Sequence, residues 1–247
     1  MSRIWTIARR EYKLYFNTPI AYIVGFVTLL VIGVIFYIVI NLAAQQPGSQ
    51  APGVEFLMSW LYFPVLFFTL PALTMRLLSD EQRMGTLEIL VTAPVRDWEI
   101  VVGKWLGALL FMVTVLAVTW VFPILLNRMV DPGIDQGLLM SGYLGLILVT
   151  SASVAIGVAL SSFFENQVVS FISTLGALFA IFWLFGFAAR AGSALVSQVF
   201  TYLSFGTHYS NTMARGVIAL DDLVYFLSVT ALALFIATVS LESRRWR

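Results

Sequence analysis

Residues 79–95 read Ser79-Asp-Glu-Gln-Arg-Met-Gly-Thr-Leu-Glu-Ile-Leu-Val-Thr-Ala-Pro-Val95. The stretch is charged, bounded by glycine and proline, and set between two long apolar runs. Outside it the chain is oily: 60% of residues are hydrophobic, 11% are charged, and the mean hydropathy is +0.92. Soluble domains carry nearer to about 25% charge, and long apolar runs mean a bilayer. A short, specific, water-facing segment between two spans points to contact with something soluble. The net charge of +1 says little by itself. With no cysteine, disulfides, a thiol nucleophile and cysteine-ligated metals are excluded. No polar stretch is long enough to build a separate soluble core.

Working outward from the insert, apolar runs of roughly 20 residues predict six spans, near 20–40, 56–78, 100–126, 138–160, 168–189 and 223–241. Backbone groups in lipid must be satisfied internally, and no alternating barrel pattern is present, so the spans are helices. An even number puts both termini on one side. Arg3, Arg9, Arg10 and Lys13 precede the first span. Arg76, Arg83, Arg96 and Lys104 lie around the insert, and Arg244, Arg245 and Arg247 follow the last span. The other side has only Arg128, Arg190 and Arg215. This bias predicts cytoplasmic termini and a cytoplasmic insert.

The first span is too long for a cleaved signal peptide and no small-residue cleavage site follows it. Residues 1–19 read as an interfacial helix. Ile4, Trp5, Ile7, Ala8, Tyr12, Leu14, Tyr15 and Phe16 share a broad apolar face, while Arg3, Thr6, Arg9, Arg10 and Lys13 share the other. Such a helix is expected in the headgroup plane, cations toward anionic lipid. Asn17-Thr18-Pro19 then breaks it. Glu11 violates the pattern. It either snorkels or pairs with a nearby arginine, or reaches across to the insert, where Arg83 and Arg96 are candidates.

No Asp, Glu, Lys, Arg or His falls near mid-depth in any span, unlike ion-coupled transporters and proton pumps. Ser59, Thr69, Thr114, Thr119, Ser151, Ser153, Ser173 and Thr174 read as helix-to-helix or backbone-bonded groups. The fourth span is rich in small residues, Ser153 and Gly157 forming a small-xxx-small pair for close packing. The fifth carries Phe171, Phe179, Phe182, Trp183, Phe185 and Phe187, either for lipid contact or as an apolar wall toward a lipid-like substrate. Pro64 and Pro71 should kink the second span.

Residues 190–222 should face outside yet are apolar. They read as a membrane-dipping loop with a first short helix ending at Gly206 and a second closed by Gly216. Leu195, Val199 and Phe200 form its apolar surface and are candidates for an outer gate. Asp221 is expected to cap the last span. His208, alone, reads as a surface or packing residue rather than a metal ligand.

Within the 79–97 segment, Gly85 permits a tight turn, Thr86 can cap, and Thr86–Val91 can form about a turn and a half of helix. Pro94 ends it, and Asp97 is expected to cap the third span. Leu87, Leu90 and Val91 share one face, with Glu88 at its edge. So short a helix needs a partner, which could be the underside of the bundle itself.

Read together, several motifs carry a resemblance. They are Ala8-Arg-Arg-Glu11, Thr18-Pro-Ile-Ala-Tyr22, Asp80-Glu-x-x-x-Gly85-Thr-x-Glu88-x-Leu90-x-x-x-Pro94-Val95, Val102-Gly-Lys104 and Gly216-Val-Ile-x-x-x-Asp222. The chain resembles type-2 ABC exporter permeases, closest to the gliding-motility and nitrous-oxide-reductase-maturation types. The resemblance implies an all-α membrane protein with six transmembrane helices, an N-terminal interfacial helix, a cytoplasmic coupling helix and re-entrant outer helices before the last span. It also implies a separate ABC ATPase that binds ATP and Mg, a second permease copy or related half, and a pathway between copies along the second and fifth spans. The expected location is the inner (cytoplasmic) membrane, with no nucleic-acid partner.

The chain has no phosphate loop, since Gly103-Lys104 is followed by Trp105. No Ser/His/Asp set or metal cluster supports another enzyme activity, and no cofactor is expected on this chain. Three readings therefore stand: an ABC exporter permease, a membrane scaffold anchoring a cytoplasmic complex, and a membrane-embedded enzyme. The last would need a polar constellation at depth that the sequence lacks.

Overall fold

The computed structural model describes residues 3–45, 58, 62–85, 95–130, 133–191 and 193–244. Among these the regular structure is all helical. Among the described residues five helices are long and apolar enough to cross a membrane: Tyr22–Leu42, Asp97–Met129, Gln136–Phe163, Gln167–Arg190 and Leu220–Ser243. The second expected span is described only as α3, Tyr62–Thr74, which contains Pro71; the start of that span lies outside the described residues.

The first helix, α1 (Arg3–Asn17), stops before Pro19, which opens α2 (Pro19–Ala44) at the first helical position, where its missing N–H costs nothing. After α3 a turn leads into the short α4 (Ser79–Arg83). The third span is α5 (Asp97–Val118) followed, after a break at Thr119–Trp120, by α6 (Val121–Met129). At about 1.5 Å per residue this 33-residue run is far longer than a hydrocarbon core of about 30 Å, so part of it must project beyond the core.

The axis of the bundle is α7 (Gln136–Phe163), 72% of whose apolar window is buried, against 17% for the peripheral α2. It packs on α3, α5, α8 and the last span. Its small residues make this possible. A methyl group added at Gly142 would come within 2.8 Å of Met58, at Gly145 within 2.8 Å of Met213, and at Gly157 within 2.2 Å of Thr74. The next span runs through α8 (Gln167–Phe179), a π-helical turn at Ala180–Leu184 and α9 (Phe185–Ala191). Then come α10 (Ala194–Leu203), α11 (Phe205–Ser210), a 3-10 turn at Met213–Arg215 and α12 (Leu220–Arg244).

Hydrogen bonds between hydroxyls and neighbouring helices hold the spans in register. Thr28 meets Thr69 at 2.8 Å, Thr119 meets Tyr143 at 3.0 Å and Tyr12 meets Thr114 at 3.1 Å. Ser161 reaches the α4 backbone and Ser240 donates to the Ser162 carbonyl at 3.3 Å. The two serine contacts, with the ion pairs of Glu99 to Arg3 and of Lys104 to Glu11 and Glu81, gather α1, α4, the start of α5, the end of α7 and the end of α12 at one end of the bundle, called here the terminal end. Tyr209, which donates to the Met58 carbonyl at 3.2 Å, and Ser141, which donates to the Met213 carbonyl at 2.9 Å, mark the far end.

Candidate functional site

The short helix α4 is tied to its surroundings by polar contacts along its whole length. The backbone N–H groups of Leu78 and Ser79 both donate to Ser161 Oγ, each at 3.1 Å, so a hydroxyl from α7 satisfies donors that a helix start leaves open. Gln82 Nε2 donates to the Ser162 carbonyl at 2.9 Å. Asp80 accepts from Arg76 Nε at 2.9 Å and from Gln167 Nε2 at the start of α8. Asp80 and Glu81 in the first turn also suit the positive end of the helix dipole. Helix α4 is thus tied to α7 and α8 before the chain leaves for residues 86–94.

A third tie runs through Lys104. Its ammonium, 4% exposed, lies 2.8 Å from Glu81 Oε1 and 3.1 Å from Glu11 Oε1. Three elements meet at this nitrogen: α1, α4 and α5. A lysine has three donors to offer, and burial of each carboxylate is tolerated because it is paired. The partner of Glu11 is therefore Lys104, which corrects both expectations, a nearby arginine and Arg83 or Arg96 of the insert. Glu11 sits on the apolar face because that face meets protein, not lipid.

Helix α1 runs alongside α5 in the same direction. Arg3 lies 3.7 Å from Glu99, and the Tyr15 ring stacks on Phe111 at 5.0 Å. Gly103 and Gly107 make the close approach possible: a methyl at Gly103 would come within 2.7 Å of Ile7, and one at Gly107 within 2.6 Å of Glu11 Cβ and 2.9 Å of the Ala8 carbonyl. The Gly-x-x-x-Gly spacing is the signal in the sequence that announces this contact. Tyr15 donates to the Leu73 carbonyl at 3.2 Å, and burial, with Glu11 nearby adding and Arg76 subtracting, holds its phenol well above the ordinary range. Trp5, Arg9 and Arg10 lie on the opposite, exposed face, which corrects the expectation that Trp5 and Leu14 share the buried apolar face, since both are more than two-fifths exposed. With Lys13, Leu14 and Asn17 they border an open cleft of about 460 Å³.

Gly85 has φ +67°, a left-handed conformation that favours glycine. The rest of the expected coupling residues, Thr86, Leu87, Glu88, Leu90, Val91 and Pro94, lie outside the described residues. The chain returns at Val95. Arg96, not Asp97, precedes the first turn of α5, its backbone N–H donating to Glu99 Oε2 at 2.9 Å. Asp97 is buried inside that turn. Both ends of the 79–97 segment are therefore anchored to α1 and α5, through Glu81 at its start and Glu99 at its end.

Between α3 and the fifth span lies an apolar groove of about 310 Å³, lined by Phe67, Phe68, Phe179, Trp183 and Phe187. Phe67 meets Trp183 edge-on at 4.9 Å. The π-helical turn falls at the middle of this wall; such turns occur mostly as single irregularities at functional positions. The fifth-span aromatics are legible in the sequence, whereas Phe67 and Phe68 are hidden in a uniformly apolar run.

At the far end, Leu195 and Val199 are exposed on α10, and Phe200 packs against Phe185 at 5.4 Å. The first short helix ends at Leu203, and Gly206 lies inside α11, so Gly206 does not terminate it. Gly216 closes the following turn at φ +90°. Asp221 lies within the first turn of α12 rather than capping it. His208 is packed face-on against Tyr225, ring centroids 4.0 Å apart.

A family model described as ABC-2 family transporter protein matches residues 61–244, well over half of the chain. The chain belongs to this family, and so is a membrane subunit of an ABC transporter. No curated protein matches it significantly.

Proposed function

We propose that this chain is the permease half of an ABC exporter, closest to the gliding-motility and nitrous-oxide-reductase-maturation types. A separate ATPase binds ATP and Mg and drives it from the cytoplasm. The observation that carries this reading is the anchoring of the 79–97 segment. A segment that merely linked two spans would not need Glu81, Asp80, Gln82 and the Leu78–Ser79 backbone tied to three different helices. A force applied at residues 86–94 reaches α1 and α5 through Glu81 and Lys104, and reaches α7 and α8 through Ser161, Ser162 and Gln167.

In this reading Leu87, Leu90 and Val91 enter a cleft on the ATPase and Glu88 meets a cationic or hydrogen-bonding group at its edge. Gly85 and Pro94 bound the lever. Two permease copies, or this chain and a related half, face each other along the second and fifth spans. The groove of Phe67, Phe179 and Trp183 then borders the pathway and suits an apolar substrate. Leu195, Val199 and Phe200 gate its outer mouth. In the same reading the Lys and Arg bias favours cytoplasmic termini, and the family resemblance favours the inner membrane.

The test is Leu87→Asp or Glu88→Arg in the assembled transporter. Each variant should insert and form permease pairs, yet lose the co-purifying ATPase or cease to stimulate it. Truncating an interface hot spot costs about 2 kcal/mol or more, roughly thirtyfold in affinity. Undiminished ATPase binding and coupled turnover in both variants would refute the reading.

A further inference from the structure

His208 is the only histidine in the chain, and both of its ring nitrogens face acceptors. Nε2 lies 2.8 Å from the Tyr202 carbonyl oxygen, which can only accept. Nδ1 lies 2.6 Å from Asp222 Oδ1. The other carboxylate oxygen, Oδ2, lies 2.6 Å from Thr212 Oγ1, whose one hydrogen is shared between that oxygen and the His208 carbonyl. A neutral imidazole has one N–H, which the Tyr202 carbonyl takes. The Nδ1–Oδ1 contact then has no hydrogen unless the pair holds one more proton, either on the ring or on Asp222. Both placements leave the pair with zero net charge, and a side chain as buried as Asp222, 5% exposed, is costly to leave ionised without compensation.

We propose that the His208–Asp222 pair stores a proton, and that this proton latches the outer helical segment onto the last span. The elements joined are the end of α10, α11 and the first turn of α12. Helix α10 ends with the Tyr202 and Leu203 carbonyls unpaired within the helix. His208 takes the first and the Tyr225 hydroxyl, at 2.7 Å, takes the second. The Tyr225 ring stacks on His208 at 4.0 Å and the Tyr202 ring meets it edge-on at 5.2 Å; Tyr209 and the exposed Asp221 are the pair's sequence neighbours, and the exposed Arg215 lies on the 3-10 turn between them. Tyr209 and Tyr225 spend their protons on the Met58 and Leu203 carbonyls. Arg215 makes no ion pair among the described residues. The stored proton is thus what balances Asp222. Its loss to water leaves one uncompensated negative charge and one contact between two acceptors, which pushes α11 off α12. The latch holds whether or not the outer segment gates a pathway, and it is read without a transport assay.

The experiment uses full-length protein in detergent micelles. With ¹⁵N-histidine labelling, one histidine gives one pair of ring resonances. At about pH 7.5 a free imidazole, with its pKa near about 6.5, is roughly nine-tenths neutral. The latch expects two protons on the pair at that pH. Either both ring nitrogens carry hydrogen, or one does while Asp222 shows a carboxylic-acid stretch that Asp222→Asn removes. One bare ring nitrogen beside an ionised Asp222 would overturn the proposal.

The second arm uses the absence of native cysteine. Ser204→Cys places a thiol at the buried junction of α10 and α11, and its labelling is normalised to Val199→Cys on the exposed face, which cancels the thiol's own titration. The normalised rate should rise at least threefold between about pH 6.5 and about pH 9. Adding Asp222→Asn should hold it low and flat, because an asparagine N–H supplies the missing hydrogen without a proton from solution. A pH-independent native chain, or an Asp222→Asn chain as pH-sensitive as the native one, refutes the latch.

Discussion

Replacing Lys104 by Met removes the one cation between two buried carboxylates. The ammonium lies 3.1 Å from Glu11 Oε1 and 2.8 Å from Glu81 Oε1, so those two oxygens are at most about 6 Å apart. At an effective dielectric of about 20 their mutual repulsion is about 3 kcal/mol, and both acids lose their charged partner as well. Breaking a buried ion pair from one side costs about 3–5 kcal/mol, and the Lys104→Met chain should lose that much stability. The loss is not a property of the missing methylenes and ammonium alone, because Met fills nearly the same stem. Neutralising all three residues, as Glu11→Gln/Lys104→Met/Glu81→Gln, removes the repulsion and should recover most of the loss, since buried ionic clusters are often no more stabilising than neutral replacements. Single Glu→Gln changes should cost less than Lys104→Met, because the native cluster holds two acids to one base. Reversible unfolding in mixed micelles measures each variant, and a double-mutant cycle isolates the coupling of Glu11 to Glu81 through Lys104. A Lys104→Met chain within about 1 kcal/mol of native, or a triple variant no more stable than the single, would refute the reasoning.

Gly107→Ala should destabilise by about 1–3 kcal/mol through overpacking, since its methyl would sit 2.6 Å from Glu11 Cβ; Gly176→Ala, with nothing within 4 Å, is the control and should be tolerated. Equal effects in thermal melts would argue against the α1–α5 contact. Gly85→Ala should cost about 1–2 kcal/mol from its left-handed φ of +67°, with Gly85→Asn milder; coupled ATPase turnover and melting temperature read it, and an Ala variant equal to native removes the turn from the argument. Tyr15→Phe should lose about 1 kcal/mol from the bond to Leu73. Because burial raises the Tyr15 phenol in the folded state, its contribution is complete below the unfolded value of about 10 and is lost as pH rises through the folded one. The native chain should therefore weaken above about pH 10 more steeply than Tyr15→Phe, and parallel curves in that range would contradict the burial.

Apolar run length places the five long spans to within a few residues, because in lipid a helix must continue until the oil ends. It handles breaks less well. The interruption at Thr119–Trp120 has its cause in Pro123, which has no N–H to give the Thr119 carbonyl, whereas the π-helical turn at Ala180–Leu184 leaves no trace, since every residue around it is as apolar as its neighbours. The small residues of the fourth span are legible for a clear reason: Gly142, Gly145 and Gly157 have no other use in a helix that glycine weakens, and each faces a side chain at contact. Gly206 misleads for the opposite reason. A glycine after a short apolar stretch looks like a helix end, but Ser204, with extended backbone, makes the break and Gly206 continues α11. His208 looks isolated in the sequence because its partners, Tyr202 and Asp222, come from elements on either side and meet only once α10 folds back toward α12.

The N-terminal helix shows why amphipathicity alone does not name a partner. Apolar residues recurring at helical spacing report that one face is buried and not what buries it, so lipid and protein are equal candidates for that face. The information that decides between them sits in the one residue that breaks the pattern. A carboxylate on a lipid-facing surface has no partner within reach, and burying it unpaired is costly enough to forbid the arrangement. A carboxylate on a protein-facing surface needs a cation opposite it, close enough for an ion pair. Lys104 meets that condition, and Gly103 and Gly107 beside it on the same helix remove the side chains that would keep the two backbones apart. Glu11, Lys104 and the two glycines are therefore one feature written in two distant places. Because Glu81 shares the same ammonium, that feature also fixes where α4 must stand, and so the point from which residues 86–94 depart.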